Sequence, residues 1–194
     1  MASNKSVLVP IADGSEEMEA IIIADVLRRA QADVTIASTG GKEQVTCSRG
    51  VKIVADTLIE DCISKEYDLI VLPGGMPGAE HLRDSKALLE ILHAQQSLNK
   101  PMAAICAAPQ VVLESKGFLQ GRTATAHPAF SGKLENQDSV EERVVMDNGI
   151  MTSRGPGTAF EFALSLVSLL YGPEKMKEVA GPMVMHDGWE NNVV

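Results

Sequence analysis

An α/β fold with a mostly parallel sheet is the architecture this sequence predicts, on three observations. Short runs rich in Val and Ile alternate with segments of helical period, the pattern of strands laid side by side with helices between them. The chain has 194 residues, 45% of them hydrophobic, enough to bury one core but small for two. No internal repeat, low-complexity tract or linker-like shift in composition divides it, so residues 1–194 read as a single doubly wound domain.

The elements follow in order. Ser6 to Ile11 is an apolar first strand, and Glu16 to Ala30 a helix whose Glu19, Ile22, Ile23, Val26, Leu27 and Ala30 fall on one stripe at helical spacing. Asp33 to Ala37, Val51 to Ala55 and Asp68 to Leu72 read as strands, the last ending in the turn Pro73-Gly74-Gly75. Lys86 to Ser97 has helical period, Met102 to Ile105 is a short apolar strand, and Pro109 to Lys116 is a helix with proline in its first turn. Thr123 to Ala126 reads as a further strand. Val144 to Met146 and Ile150 to Thr152 flank Asp147-Asn148-Gly149, whose Asn-Gly supplies the positive φ angles of a tight hairpin. Thr158 to Tyr171 opens on a capping box, Thr158 with Glu161, and stops at Gly172-Pro173; Glu174 to Ala180 is the last helix.

Charge and composition exclude several function classes. With 17 basic and 26 acidic residues the net charge is -9, which removes the electrostatic footprint expected for nucleic acid or anionic lipid. No run approaches the apolar length of a membrane helix, and the polar lead Met1 to Lys5 is unlike a signal peptide, so a cytoplasmic protein is expected, with an organellar or nuclear pool left open. Cys47, Cys62 and Cys106 are odd in number and form no C-x-x-C pair, the usage of free thiols in a reducing compartment. His81, His93, His127 and His186 are scattered without metal-ligand spacing, and the glycines match neither a dinucleotide fingerprint nor a P-loop. Neither metal nor cofactor is implied.

Open α/β sheets bind ligands beyond the carboxyl ends of their strands, so the chemistry is sought there. Cys106 follows the strand Met102 to Ile105 at a turn into a helix, where free N–H groups favour thiolate over thiol; the alternative is a small buried hydrophobe. Glu19 has two readings. On the buried stripe its carboxyl would be held protonated and suited to proton transfer, whereas near the helix start it would only complement the dipole, as Glu16 and Glu17 do. Gly74 and Gly75 permit close backbone approach and, with the Ala107 N–H, form a candidate oxyanion cradle. His127 ends a strand on the same rim, as a catalytic group or as a plain hydrogen-bonding residue.

Five segments, Glu16 to Glu19, Tyr67 to Gly75, Ala103 to Pro109, His127-Pro128 and Thr152 to Thr158, together resemble the ThiJ/PfpI family, and within it the DJ-one branch of protein deglycases. The resemblance spans nearly the whole chain. It implies a flavodoxin-like three-layer sandwich, a homodimer, and a nucleophile elbow bearing an oxidation-sensitive cysteine. By matching motif the catalytic group is Cys106 with Glu19 and His127, Gly75 and Ala107 are backbone donors, and Gly74, Arg49 and Arg154 are pocket residues; Asp25 is the cross-subunit partner considered for His127. Superfamily proteases carry a histidine directly after the nucleophile, where this chain has Ala107. Residues 187–194, including Trp189, match no part of the family pattern and read as a flexible tail.

The implied activity is a cofactor-independent glyoxalase or deglycase acting on methylglyoxal-type α-oxoaldehydes or their early glycation adducts. A non-enzymatic oxidative-stress sensor or redox-regulated chaperone, working through oxidation of Cys106, is the alternative.

Overall fold

Seven strands form the central sheet of the computed structural model, which describes residues 4–194: β1 (Ser6–Ile11), β2 (Asp33–Ser38), β5 (Thr57–Leu58), β6 (Leu69–Leu72), β7 (Met102–Ile105), β8 (Val144–Asp147) and β9 (Ile150–Ser153). Their spatial order is β5-β2-β1-β6-β7-β9-β8, parallel except for β8, which pairs antiparallel with β9. The strand β1 lies between β2 and β6, so the chain winds outward in both directions from the β1–β6 boundary, the switch point at which such sheets open a crevice. Of the polar lead Met1 to Lys5, residues 1–3 lie outside the described residues.

Helices cover both faces. On one, α1 (Glu17–Arg29), α5 (Ala159–Tyr171) and α6 (Pro173–Ala180) bury Ile23, Val26, Leu27, Phe162 and Val167 against Val7, Val9 and Val71. On the other, α3 (Lys86–Ser97) and a π-helical segment (Pro109–Glu114) bury Leu88, Leu92 and Val112 against Leu8, Ile70 and Ala104. Two short helices, α2 (Gly78–Asp84) and α4 (Pro128–Ser131), follow the turns after β6 and after Ala126. Strands β6 and β7 are buried along their whole length, as strands covered on both faces must be. Among the described residues no helix is long and apolar enough to cross a membrane.

Several expectations need correction. Val51 to Ala55 does not join the main sheet: β4 (Lys52–Val54) pairs antiparallel with β3 (Gln44–Thr46) in a separate hairpin, and within β4 only Ile53 turns inward. Thr123 to Ala126 is not a strand of the ladder, since the Thr123 and Thr125 N–H groups donate to the side chains of Asp147 and Thr152, at 2.7 and 2.9 Å. Thr158 does not cap α5; its hydroxyl is committed to the Gly155 carbonyl and to Ser153. Residues 187–194 dock rather than trail. Trp189 and Val193 pack on the core, and the Val194 N–H donates to Ser165 Oγ at 3.1 Å. The Asn148-Gly149 hairpin forms as expected, with φ of 45° and 82°.

Candidate active site

Register sets the site. Leu72 pairs with Ala104 and Ile105 with Ser153, so the residues just beyond β6, β7 and β9 emerge along one edge. Cys106 is the first residue past β7 and has φ of 66°, a left-handed conformation that costs a residue with a Cβ. Two hydrogen bonds impose it: the Cys106 N–H donates to the Ser153 carbonyl at 3.0 Å, and the Cys106 carbonyl accepts from the His127 N–H at 2.9 Å. The thiol is thereby turned out at a sharp strand-to-helix elbow.

Gly74 makes room for that elbow. A Cβ at Gly74 would lie 2.6 Å from the Cys106 Cβ and 2.9 Å from the Ala107 nitrogen, both rigidly held. Gly74→Ala should therefore lower the unfolding free energy by about 2 kcal/mol or more and disturb the thiol, checked by urea denaturation and by the rate of Cys106 alkylation. Gly75, at φ of 87°, passes so close to the turn after β1 that a Cβ would meet the Gly14 carbonyl at 2.5 Å.

Glu19 resolves to the buried reading. Its residue is fully shielded from solvent, one carboxyl oxygen accepts the Gly74 N–H at 2.8 Å, and the other, Oε1, has no hydrogen-bond partner among the described residues. Burial, reinforced by the neighbouring Glu16 charge and opposed by the Gly74 N–H and the Cys106 thiol, pushes this carboxyl up to about 7.

Cys106 departs from the expected direction. Burial first, and then the adjacent Glu19 carboxylate, push its thiol up to about 12, outweighing the Gly75 and Ala107 N–H groups that face the sulfur and favour thiolate. The elbow alone does not create a resting thiolate; the state of Glu19 decides. With the carboxyl ionised, the proton stays on sulfur. With the proton on Glu19, the opposing charge is gone and the unpartnered Oε1 becomes a donor to a thiolate that Gly75 and Ala107 also stabilise.

A cavity of about 530 Å³ opens over the sulfur, lined by Cys106, Ala107, Gly75, His127 and Arg49 with an apolar wall of Met18, Met76, Phe130 and Pro156. His127 stands at the start of α4, where its Nδ1 accepts the Ala129 N–H at 3.2 Å, so the ring proton is placed on Nε2 and the side chain is a donor at its free end.

The structure thus brings Cys106, Glu19, Gly74, Gly75, Ala107, His127 and Arg49 together. It does not bring in Arg154, whose guanidinium pairs with Glu141 at 3.0 Å away from the cavity lining. Asp25 is on the exposed side of α1, paired with Arg29 at 2.6 Å. Cys47 and Cys62 are buried, and burial with the Glu17 charge pushes Cys47 up to about 11. Among the described residues no cluster of three metal-ligating side chains exists.

Glu17 is the residue that sequence reasoning misses. Its place beside Glu16 reads as that of a dipole partner, yet it is 6% exposed and accepts from the turn after Cys47: Ser48 Oγ at 2.9 Å and the Arg49 N–H at 2.8 Å. No local periodicity marks it, because its partners lie about thirty positions along the chain. Glu16 is the cap of α1, accepting the Glu19 N–H at 2.8 Å.

Comparison with known proteins gives a consistent result. Residues 5–169 match the model of the DJ-1/PfpI family. Protein DJ-1 homolog B of Arabidopsis thaliana is 53% identical over 169 residues, covering 87% of this chain and 39% of the plant protein. This chain thus spans about two fifths of the length of the Arabidopsis relatives it matches. Glutathione-independent glyoxalase DJR-1.2 of Caenorhabditis elegans is 36% identical over 95% of this chain and 99% of its own. Among solved structures, oxidized Toxoplasma gondii DJ-1 superposes with a TM-score of 0.91 at 47% identity, covering 93% of this chain and 98% of that one.

Proposed function

The chain belongs to the DJ-1/PfpI family, and from that premise we propose that it is a cofactor-independent glyoxalase of α-oxoaldehydes, with deglycation of early adducts as the same chemistry on a larger substrate. The observation that carries the reading is a buried carboxyl, with one oxygen unpartnered, set beside an elbow thiol that two backbone N–H groups face. A relative named as a glutathione-independent glyoxalase supports it.

The steps balance on these residues. Cys106 sulfur, as thiolate, adds to the aldehyde carbon of methylglyoxal; the C=O pair moves onto oxygen, which takes the Glu19 proton to give a hemithioacetal. Glu19, now a carboxylate with affinity for protons near neutrality, removes the hydrogen from that carbon while the new hydroxyl passes its proton to the adjacent ketone oxygen, giving an enediolate; it then returns the hydrogen to the neighbouring carbon as the enediolate oxygen closes to the thioester carbonyl. The product is a lactoyl thioester on Cys106. Water cleaves the C–S bond, releasing lactate and the thiol, so the sum is methylglyoxal plus water to lactic acid. Gly75 and Ala107 stabilise negative charge at the sulfur and the adjoining oxygen, and His127, a donor through Nε2, holds the substrate ketone oxygen.

Steady-state assay of the purified protein on methylglyoxal, with neither glutathione nor metal, should give lactate; absence of lactate under those conditions would remove the proposal. A redox-sensing reading draws on the same unpartnered Oε1, which as a carboxylic acid would hydrogen-bond an oxidised sulfur. We also propose a homodimer built partly on α1, because Met18 and Ile21 are 53% and 46% exposed on the first turns of that helix. Sedimentation should report twice the 20.7 kDa chain mass at micromolar concentration, and a species at 20.7 kDa would count against it.

A further inference from the structure

Lactate leaves Cys106 only when water attacks the lactoyl thioester, and that water must lose a proton as it adds. Besides the sulfur, the titratable side chains bordering the cavity from which water arrives are Glu16, Glu17, Arg49 and His127. A guanidinium has no acceptor, which removes Arg49. His127 commits Nδ1 to the Ala129 N–H and so presents a proton rather than a lone pair at Nε2. Glu17 is buried, yet Ser48 Oγ and the Arg49 N–H, at 2.9 and 2.8 Å, hold its carboxyl below the usual range, which makes it a weak base. Glu19 is fully shielded and does not border the cavity, so it serves atoms bonded to the sulfur and not the open side from which water comes.

Glu16 remains, and the main chain fixes it at the reacting end. Its N–H donates to the Gly74 carbonyl at 2.9 Å, and its Oε2 accepts the Glu19 N–H at 2.8 Å. The residue is therefore tied to the turn that supplies the Gly75 N–H and to the residue that carries the shuttle carboxyl. It is half-buried, with Oε1 left over to accept a proton. Its charge already reaches Glu19, where it reinforces the effect of burial. Two neighbouring carboxyls in unlike settings, one shielded and one on an open wall, are how a single site provides both an acid and a base.

We propose that Glu16 is the general base of the hydrolytic half-reaction, a catalytic residue distinct from the Glu19 shuttle. The proposal rests on the glyoxalase reading above. The water oxygen bonds to the thioester carbonyl carbon as one of its protons passes to Glu16, and the C=O pair moves onto an oxygen held by the Gly75 and Ala107 N–H groups. When that pair returns, the C–S bond breaks and its electrons stay on Cys106 as thiolate. Lactic acid gives its proton to Glu19, which the shuttle left as a carboxylate, and Glu16 gives its own to solvent. Both carboxyls end as they began, and lactate departs.

The test reads the intermediate directly. Glu16→Gln keeps an oxygen able to accept the Glu19 N–H but cannot take a proton from water. Mixed with methylglyoxal and quenched in acid, this variant should accumulate one lactoyl group per chain on Cys106, seen by intact-protein mass spectrometry, while steady-state lactate formation falls about a hundredfold. After removal of excess aldehyde, hydroxylamine should release the group as a hydroxamate, which distinguishes a thioester from a hemithioacetal of the same mass. Glu19→Gln, blocked earlier, should accumulate no thioester. Lactate formation at the wild-type rate in Glu16→Gln overturns the assignment. Lost turnover without a thioester places Glu16 before the acyl-enzyme and overturns it equally. A wild-type protein that forms neither thioester nor lactate removes the glyoxalase reading itself, and the base with it.

Discussion

Cys106→Ser should abolish lactate formation from methylglyoxal, by about a thousandfold or more, and leave the fold intact. Oxygen replaces sulfur in a nearly isosteric side chain, and the hydrogen bonds that impose the elbow, to the Ser153 carbonyl and from the His127 N–H, are main-chain and survive. What is lost is an acid weak enough to rest as a thiol yet strong enough to yield its proton when Glu19 is protonated. A serine hydroxyl lies far above that range, and burial raises it further. Circular dichroism and urea unfolding should match wild type while turnover vanishes; retained turnover would show that the nucleophile lies elsewhere. Cys47→Ser and Cys62→Ser keep most activity on the same argument, since neither thiol borders the cavity.

Glu19→Gln should be nearly as damaging, with a signature of its own. The amide preserves size and can still donate to sulfur, but it neither gives a proton to the first oxyanion nor takes one from carbon, so turnover should fall by about a hundredfold or more while Cys106 remains open to alkylation. The thiol itself should become more acidic, because the carboxylate charge that raises it is gone. Stability supplies a second readout. The Glu19 carboxyl moves from an ordinary value of 4.5 to about 7 on folding, so between those values the unfolded chain releases its proton while the folded chain keeps it. The contribution is fully present below 4.5 and is lost as pH rises through 7, roughly 3 kcal/mol in all. Urea titrations across that window should therefore slope downward with pH more steeply in wild type than in Glu19→Gln. Wild-type turnover in the variant would sink the proton shuttle even with Cys106 as nucleophile.

Much of the fold, and the placement of the candidate site, is legible in the sequence. Strand ends place Cys106 and the Gly74-Gly75 turn, and helical spacing with Ile23 and Leu27 places Glu19, because these depend on local period and on the rule that parallel sheets work at their carboxyl edge. The failures have a common cause in contacts distant in sequence. Thr125 has the neighbours of a strand residue, but Thr152, twenty-seven positions on, takes its N–H. The alternation of exposed Lys52 and Val54 with buried Ile53 marks a strand covered on one side only, unlike the fully buried β6 and β7, and so argues for a separate hairpin. The helix-end argument misjudges the direction of the thiol because it weighs donors near Cys106 in sequence, whereas burial first, and then the charge of Glu19 in α1, oppose ionisation.

The strand order carries one more consequence, for how copies of the molecule meet. An open sheet invites templated growth wherever a long strand ends it with free N–H and C=O groups. Here one border is β5, two residues long, and the other is β8, four residues that turn back antiparallel and are bracketed by Arg143 and Asp147. Neither offers enough backbone to recruit a further strand, and the charge of -9 opposes casual encounters. Short borders of this kind disfavour open-ended growth by strand addition and leave the outer helical faces as the larger surfaces for contact.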